Sequence, residues 1–213
     1  MFRRKILAGA ALALLASAQG CSTGLTATGA ATSETRVASE IPQGFLLGEP
    51  YARKTPTISP DEPEESWVRL NDKLSGPLEV GACGTERDAE GRTAMRTIVY
   101  TTSAPEYGSE QLALYRSKEA ASEVMARLRE CVKSVNPAGR ALEGIGDEAI
   151  WVAGERDLAV SYDMKVGAVA ARRGSALFVY TSSDESVLDG PDDLPVPARK
   201  MAEKVCTLQG VCD

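Results

Sequence analysis

Five cysteines in 213 residues, none of them in a C-x-x-C pair, constrain this chain more than any other feature. They are Cys21, Cys83, Cys131, Cys206 and Cys212. Without closely spaced pairs, both a four-cysteine zinc site and a dithiol redox motif fit poorly. A disulfide framework fits well, provided that the chain is exported to an oxidising compartment.

The N-terminus supplies that condition. In "MFRRKILAGAALALLASAQGC", Arg3, Arg4 and Lys5 form a positive n-region and Ile6 to Ala16 an apolar run. The run is too short to cross about 30 Å of hydrocarbon as a helix, and residues 1–20 read as a signal peptide. Ala16-Ser17-Ala18 is an A-x-A cleavage site that would release a soluble chain. Ala18-Gln19-Gly20-Cys21 instead resembles a bacterial lipobox, with Ala18 where leucine is usual. Parity favours the second reading: an odd cysteine in an exported protein is left unpaired, and lipid on Cys21 leaves four to form two bridges. A diacylglyceryl cysteine, often with a third chain, holds stably to a membrane.

Composition removes several function classes. The formal net charge is −6, and loss of the signal's three cations makes it more negative, which argues against nucleic-acid binding. No polybasic patch suits anionic lipid. There is no histidine, which excludes Ser-His-Asp and Cys-His catalysis and His-ligated zinc. Aromatic residues are only 5% of the chain, too sparse for stacking on sugars or single strands. No cofactor or metal is expected.

Along the chain, residues 21–40 read as the lipidated cysteine followed by a small, polar, flexible tether with a reach of roughly 25 Å. Residues 41–213 read as a single domain. Phe45, Leu46 and Leu47 are its entry anchors, and Thr55 to Ser66 is a solvated acidic loop. Its carboxylates Asp61, Glu62, Glu64 and Glu65 lack EF-hand spacing. "PLEVGACG" reads as a short strand ending at Cys83, Arg92 to Ser103 as a second and Glu110 to Tyr115 as a third. A helix follows, N-capped by Ser117, with Ala121, Val124, Met125, Leu128 and Val132 on one stripe and Cys131 beside them. Glu123 and Arg127 are spaced for an i,i+4 pair on its outer side.

Gly144, Gly146 and Ala149 satisfy the loose pattern G-x-G-x-x-[GA]. Asp147 and Glu148 would repel phosphate, and a strand rather than a helix follows, so the glycines read as a turn. Later strands are expected to break at Lys165-Val166-Gly167 and at Arg173-Gly174-Ser175, with a hairpin over Ala168 to Tyr180. A second acidic loop, "DESVLDGPDD", leads to a last helix from Leu194 to about Gln209. Its buried stripe is Ala198, Met201, Ala202, Val205 and Leu208, and Gly210 stops it. The order of strands, helix, strands, helix predicts an α+β domain with two main helices packed on a mostly antiparallel sheet.

Four cysteines permit three connectivities. Cys206 and Cys212 flank the helix stop, which favours their pairing and leaves Cys83 for Cys131. In the chain-entropy model the longer loop is worth roughly 4 kcal/mol and the shorter roughly 2.4 kcal/mol.

The stretches "ACG" at Cys83, "YRSKEAASEVMARLREC" ending at Cys131, "GIGDEAIWV" and "GAVAARRGSALFVY" carry a resemblance. Over residues 77–208 the chain resembles the extracellular sensor domain of mycobacterial receptor Ser/Thr kinases of the PknH type, a domain that also occurs in free-standing actinobacterial lipoproteins. The resemblance implies a disulfide-bridged α+β domain outside the membrane with a cleft for an unidentified ligand. It supplies no catalytic residues to transfer. The chain departs from those receptors in having no transmembrane helix and no kinase domain.

The expected function is therefore a lipid-anchored extracytoplasmic module that binds a small molecule, an envelope polymer or a protein, and is not an enzyme. The alternatives are an envelope hydrolase or transferase working through carboxylates, and a structural or inhibitory partner protein. Arg96, Tyr100 and Arg116 are the polar groups on or beside the sheet that a cleft would use. For the anchor, Cys21→Ser should move the protein from the detergent phase to the aqueous phase in its host. Native protein already in the aqueous phase, beginning at Gln19, would contradict lipidation.

Overall fold

An apolar run that does not alternate needs cover on both of its faces. "ALFVYT" is such a run, and in a computed structural model of the protein it lies in the central strand of the sheet. The structure describes residues 37–51, 67–101, 107–135, 139–158, 162–183 and 193–213. These contain seven strands: β1 (Trp67–Asn71), β2 (Arg92–Thr101), β3 (Tyr107–Tyr115), β4 (Arg140–Leu142), β5 (Glu148–Leu158), β6 (Tyr162–Arg173) and β7 (Ala176–Ser182). They form one sheet in the order β1-β2-β3-β7-β6-β5-β4, antiparallel at every step. The α+β expectation holds in this form, with the sheet dominating over its two helices, α1 (Lys118–Val135) and α2 (Pro195–Lys204).

Each face has its own core. On one, α1 lays Ala121, Val124, Met125, Leu128 and Val132 against Ala113, Leu177, Val179, Ala168 and Ile150. Ser117 caps that helix by accepting the Ala120 N–H at 3.2 Å, a contact worth about 1 kcal/mol. On the other, Ala198, Met201, Ala202 and Val205 pack with Phe45 and Leu46 over Ile98, Leu112, Phe178 and Trp151. Each large apolar side chain buried in this way contributes about 1.5–3 kcal/mol.

Several expectations need correction. Cys83 does not end a strand: Gly81–Cys83 is a 3-10 turn entered through Gly81 at φ +62°. The two edges of β2 are already taken by β1 and β3, so Leu78 and Val80 pack beneath α1 without joining a ladder. The break expected at Lys165-Val166-Gly167 does not occur. Gly167 is paired with Ala153 on one side and Ser182 on the other, and β6 runs straight through it. The last helix stops at Lys204, and Val205–Thr207 tightens into a 3-10 turn. The expected stripe stays buried through that change. Arg127 donates to the Arg87 carbonyl across the α1 face. β1 and β4 were not expected; both are short edge strands. Packing also starts earlier than Ile41: Val37 and Ala38 lie on the core, and the Ala38 N–H donates to the Gln209 carbonyl at 2.9 Å. The first acidic loop, and the second except Asp193, fall outside the described residues, as does Cys21.

The structure joins Cys83 to Cys131 at a Cα separation of 5.6 Å and Cys206 to Cys212 at 5.2 Å. The first bridge ties the Gly81–Cys83 turn to α1 from within a core. The second closes the C-terminal turn, where Val211 meets the β6–β7 hairpin: Ser175 N–H donates to the Val211 carbonyl at 2.9 Å. Gly174 allows that approach, because a Cβ there would lie 1.7 Å from the same oxygen. Replacing Cys83 and Cys131 by Ala should cost more stability, toward about 2–5 kcal/mol, than replacing Cys206 and Cys212. Denaturant unfolding of the two double variants makes the comparison, and an equal or reversed order would refute it.

Candidate functional site

Alternation along β2, β3 and β7 puts Arg96, Tyr100, Glu110 and Tyr180 on the face that also carries Ile98, Leu112 and Phe178. Glu110 is directly opposite Tyr180 across the β3–β7 ladder and opposite Ile98 across β2–β3. It is 3% exposed. A carboxylate there must be supplied with donors by the protein. Oε1 accepts the Leu47 N–H at 2.8 Å and the Tyr180 hydroxyl at 2.7 Å, and Oε2 accepts the Gly48 N–H at 2.8 Å. The segment after Phe45 is thereby clasped to the sheet.

Glu49, one residue further on, is held differently. Its carboxylate accepts from Arg96 Nε at 2.9 Å and Nη2, and from the Leu46 N–H at 2.9 Å. Arg96 Nη1 reaches Asp72 at 2.9 Å. Burial pushes the Glu49 carboxyl up, but the Arg96 hydrogen bond and the Gly44 and Leu46 N–H groups outweigh it and hold the group below its ordinary range. The hydrogen bond to Glu49, opposed by burial, raises Arg96. Burial, reinforced by the negative charge on Glu110, lifts both Tyr100 and Tyr180 above the ordinary phenol range, so both stay protonated.

Over these groups lies a recess of about 310 Å³, walled by Leu47, Gly48, Tyr100, Tyr180 and Pro197 with Glu110 at its base. Gly48 is needed there for closeness: a Cβ would lie 1.5 Å from the Tyr100 hydroxyl oxygen. Even alanine must displace the Tyr100 ring.

Of the three polar candidates from the sequence, Arg96 and Tyr100 are brought together here. Arg116 is exposed beyond the end of β3, its N–H bonded to the Gly91 carbonyl. Cys83 and Cys131 belong to the opposite core, and Cys206 and Cys212 to the C-terminal turn. Glu110, Tyr180 and Glu49 were missed. Glu110 had a signal: it stands two and four residues before Leu112 and Leu114, a carboxylate in register with an apolar face.

Gly144 and Gly146 turn the chain into strand β5, as expected. The Asp147 carboxylate accepts the Gly174 N–H at 2.8 Å and the Arg172 and Arg173 guanidinium groups at 3.0 and 2.9 Å. Burial opposes these contacts, but together they hold Asp147 below its ordinary range. This buckle fastens the hairpin turn. Among the described residues no three His, Cys, Asp or Glu side chains are grouped to hold a metal.

No family model matches the chain, and neither does any curated protein. Among solved structures it is similar to the crystal structure of the extracellular domain of PknH from Mycobacterium tuberculosis. The TM-score is 0.42 at 6% identity, over 78% of this chain and 95% of that one.

The Glu49–Arg96 pair makes a pH prediction. Glu49 lies below its unfolded value of 4.5, so its stabilisation is present above that value and is lost as the pH falls from there through the lower folded value. Arg96→Met should strand a buried carboxylate, cost about 3–5 kcal/mol, and move acid unfolding to higher pH. Acid titration followed by circular dichroism tests this, and an unchanged midpoint would contradict it.

Proposed function

We propose that this chain is an extracytoplasmic binding module, held to the membrane through lipid on Cys21, whose ligand site is the recess over Glu110. The recess carries the reading: it has the size of a small-molecule pocket, apolar and aromatic walls, and a few converging polar groups. The two bridges suit an oxidising compartment, and their pairing leaves Cys21 as the cysteine available for lipid. No helix among the described residues is long and apolar enough to cross a membrane.

Binding rather than turnover is favoured by how the charged groups are engaged. Glu49 is tied to Arg96, and the phenols are pushed away from the range in which they could exchange protons near neutrality. The large exposed apolar side chains among the described residues, Leu70, Leu74, Val135 and Val196, sit on β1, the turn after it, the end of α1 and the start of α2. That distribution favours a ligand recess over a flat docking face.

A small-molecule screen by thermal shift tests the reading, since a ligand at 100 times its Kd adds about 2.7 kcal/mol. Pro197→Trp should fill the recess and abolish the shift while leaving the melting temperature of the free protein near that of the parent. A ligand whose shift survives Pro197→Trp would place binding elsewhere.

A further inference from the structure

Among the described residues, the groups that donate to Glu110 are all neutral: two backbone N–H donors and one phenol. None of the ion pairs among the described residues includes it. The nearby guanidinium of Arg96 is already shared between Glu49 and Asp72. Lys204 is turned to the Phe45 carbonyl, with its ammonium 4.8 Å from the Phe45 ring centre. Among the described residues, therefore, the negative charge at the base of the recess has no ion-pair partner. It also has acceptor capacity left, since a carboxylate offers about four lone-pair sites and three contacts are made here.

The walls have a matching character. Tyr100 and Tyr180 contribute aromatic surface, and Leu47 and Pro197 contribute apolar surface without a charge. Aromatic rings attract a cation through their faces, and more strongly where water is excluded. A buried carboxylate adds Coulomb attraction at reduced dielectric. An anion would meet repulsion at the same point, and a neutral ligand would leave the charge uncompensated.

The geometry points to a small organic cation, a compact alkylammonium group, as the ligand class of this recess. This rests on the recess being the ligand site, as proposed above. The ammonium head sits over Glu110 between the two tyrosines, and its alkyl groups lie against Leu47 and Pro197.

The test uses three probes of one shape on the intact protein at fixed ionic strength: choline, its neutral carbon isostere 3,3-dimethylbutan-1-ol, and the anion 3,3-dimethylbutanoate. Binding is read from the amide resonances of Leu47 and Gly48 and the ring resonances of Tyr100. Choline should give saturable shifts at these positions and bind at least about tenfold more tightly than the neutral isostere, with the anion weakest. Equal or tighter binding of the neutral or anionic probe at these residues would overturn the cation inference and leave the recess a ligand site. No saturable shift from any probe would overturn both. Glu110→Gln should erase the preference for choline. Because that change also loosens the clasp, Tyr100→Leu provides a second variant. It leaves the Glu110 contacts to Leu47, Gly48 and Tyr180 in place and should weaken choline more than the neutral probe. An unaltered preference in Tyr100→Leu would contradict the placement of the head between the rings.

Discussion

Burying the Glu110 carboxylate removes its water, and the donors that replace that water determine the shape of this end of the molecule. An unpaired charge in an apolar face costs several kcal/mol. Here the cost is met by the N–H groups of Leu47 and Gly48 and by the Tyr180 hydroxyl. The same contacts hold the entry segment against the sheet, bring Gly48 under Tyr100, and leave a hollow beside α2 with the carboxylate at its base. Both clasp and recess follow from one residue that breaks the apolar pattern of its strand.

The rest of the fold answers a different demand. A central strand buried on both sides obliges the chain to build two cores, and neither helix is long enough to cover a seven-stranded sheet alone. Each covering layer therefore recruits irregular chain. Leu78 and Val80 extend the α1 layer and are fixed there by Cys83–Cys131; Phe45 and Leu46 extend the α2 layer, whose last turn is closed by Cys206–Cys212. Each disulfide has at least one end where regular secondary structure gives out, at the Gly81–Cys83 turn and in the C-terminal turn.

Periodicity made much of this legible. The α1 stripe, the alternating faces of β2 and the hairpin turn at Gly174 are local patterns, and each is found where the residues predict it. What was illegible depended on neighbours. Leu78 to Cys83 alternates like a strand, but no free edge of β2 remained for it. Gly167 reads as a break, yet partners on both sides keep it extended. At the recess, Arg96 and Tyr100 could be nominated because they lie on one strand face. Their partners Glu49 and Tyr180 come from segments 47 and 80 positions away from them, respectively, a juxtaposition that only the folded sheet creates.

The recess depends on Glu110 holding the Leu47–Gly48 backbone as firmly as a ladder would. Amide hydrogen exchange measures this directly. The Leu47 and Gly48 N–H groups should be protected to a degree comparable with amides in the interior of β3, although they lie in an irregular segment. Exchange at the rate of exposed turn amides would show that the clasp is open in solution, and with it the recess.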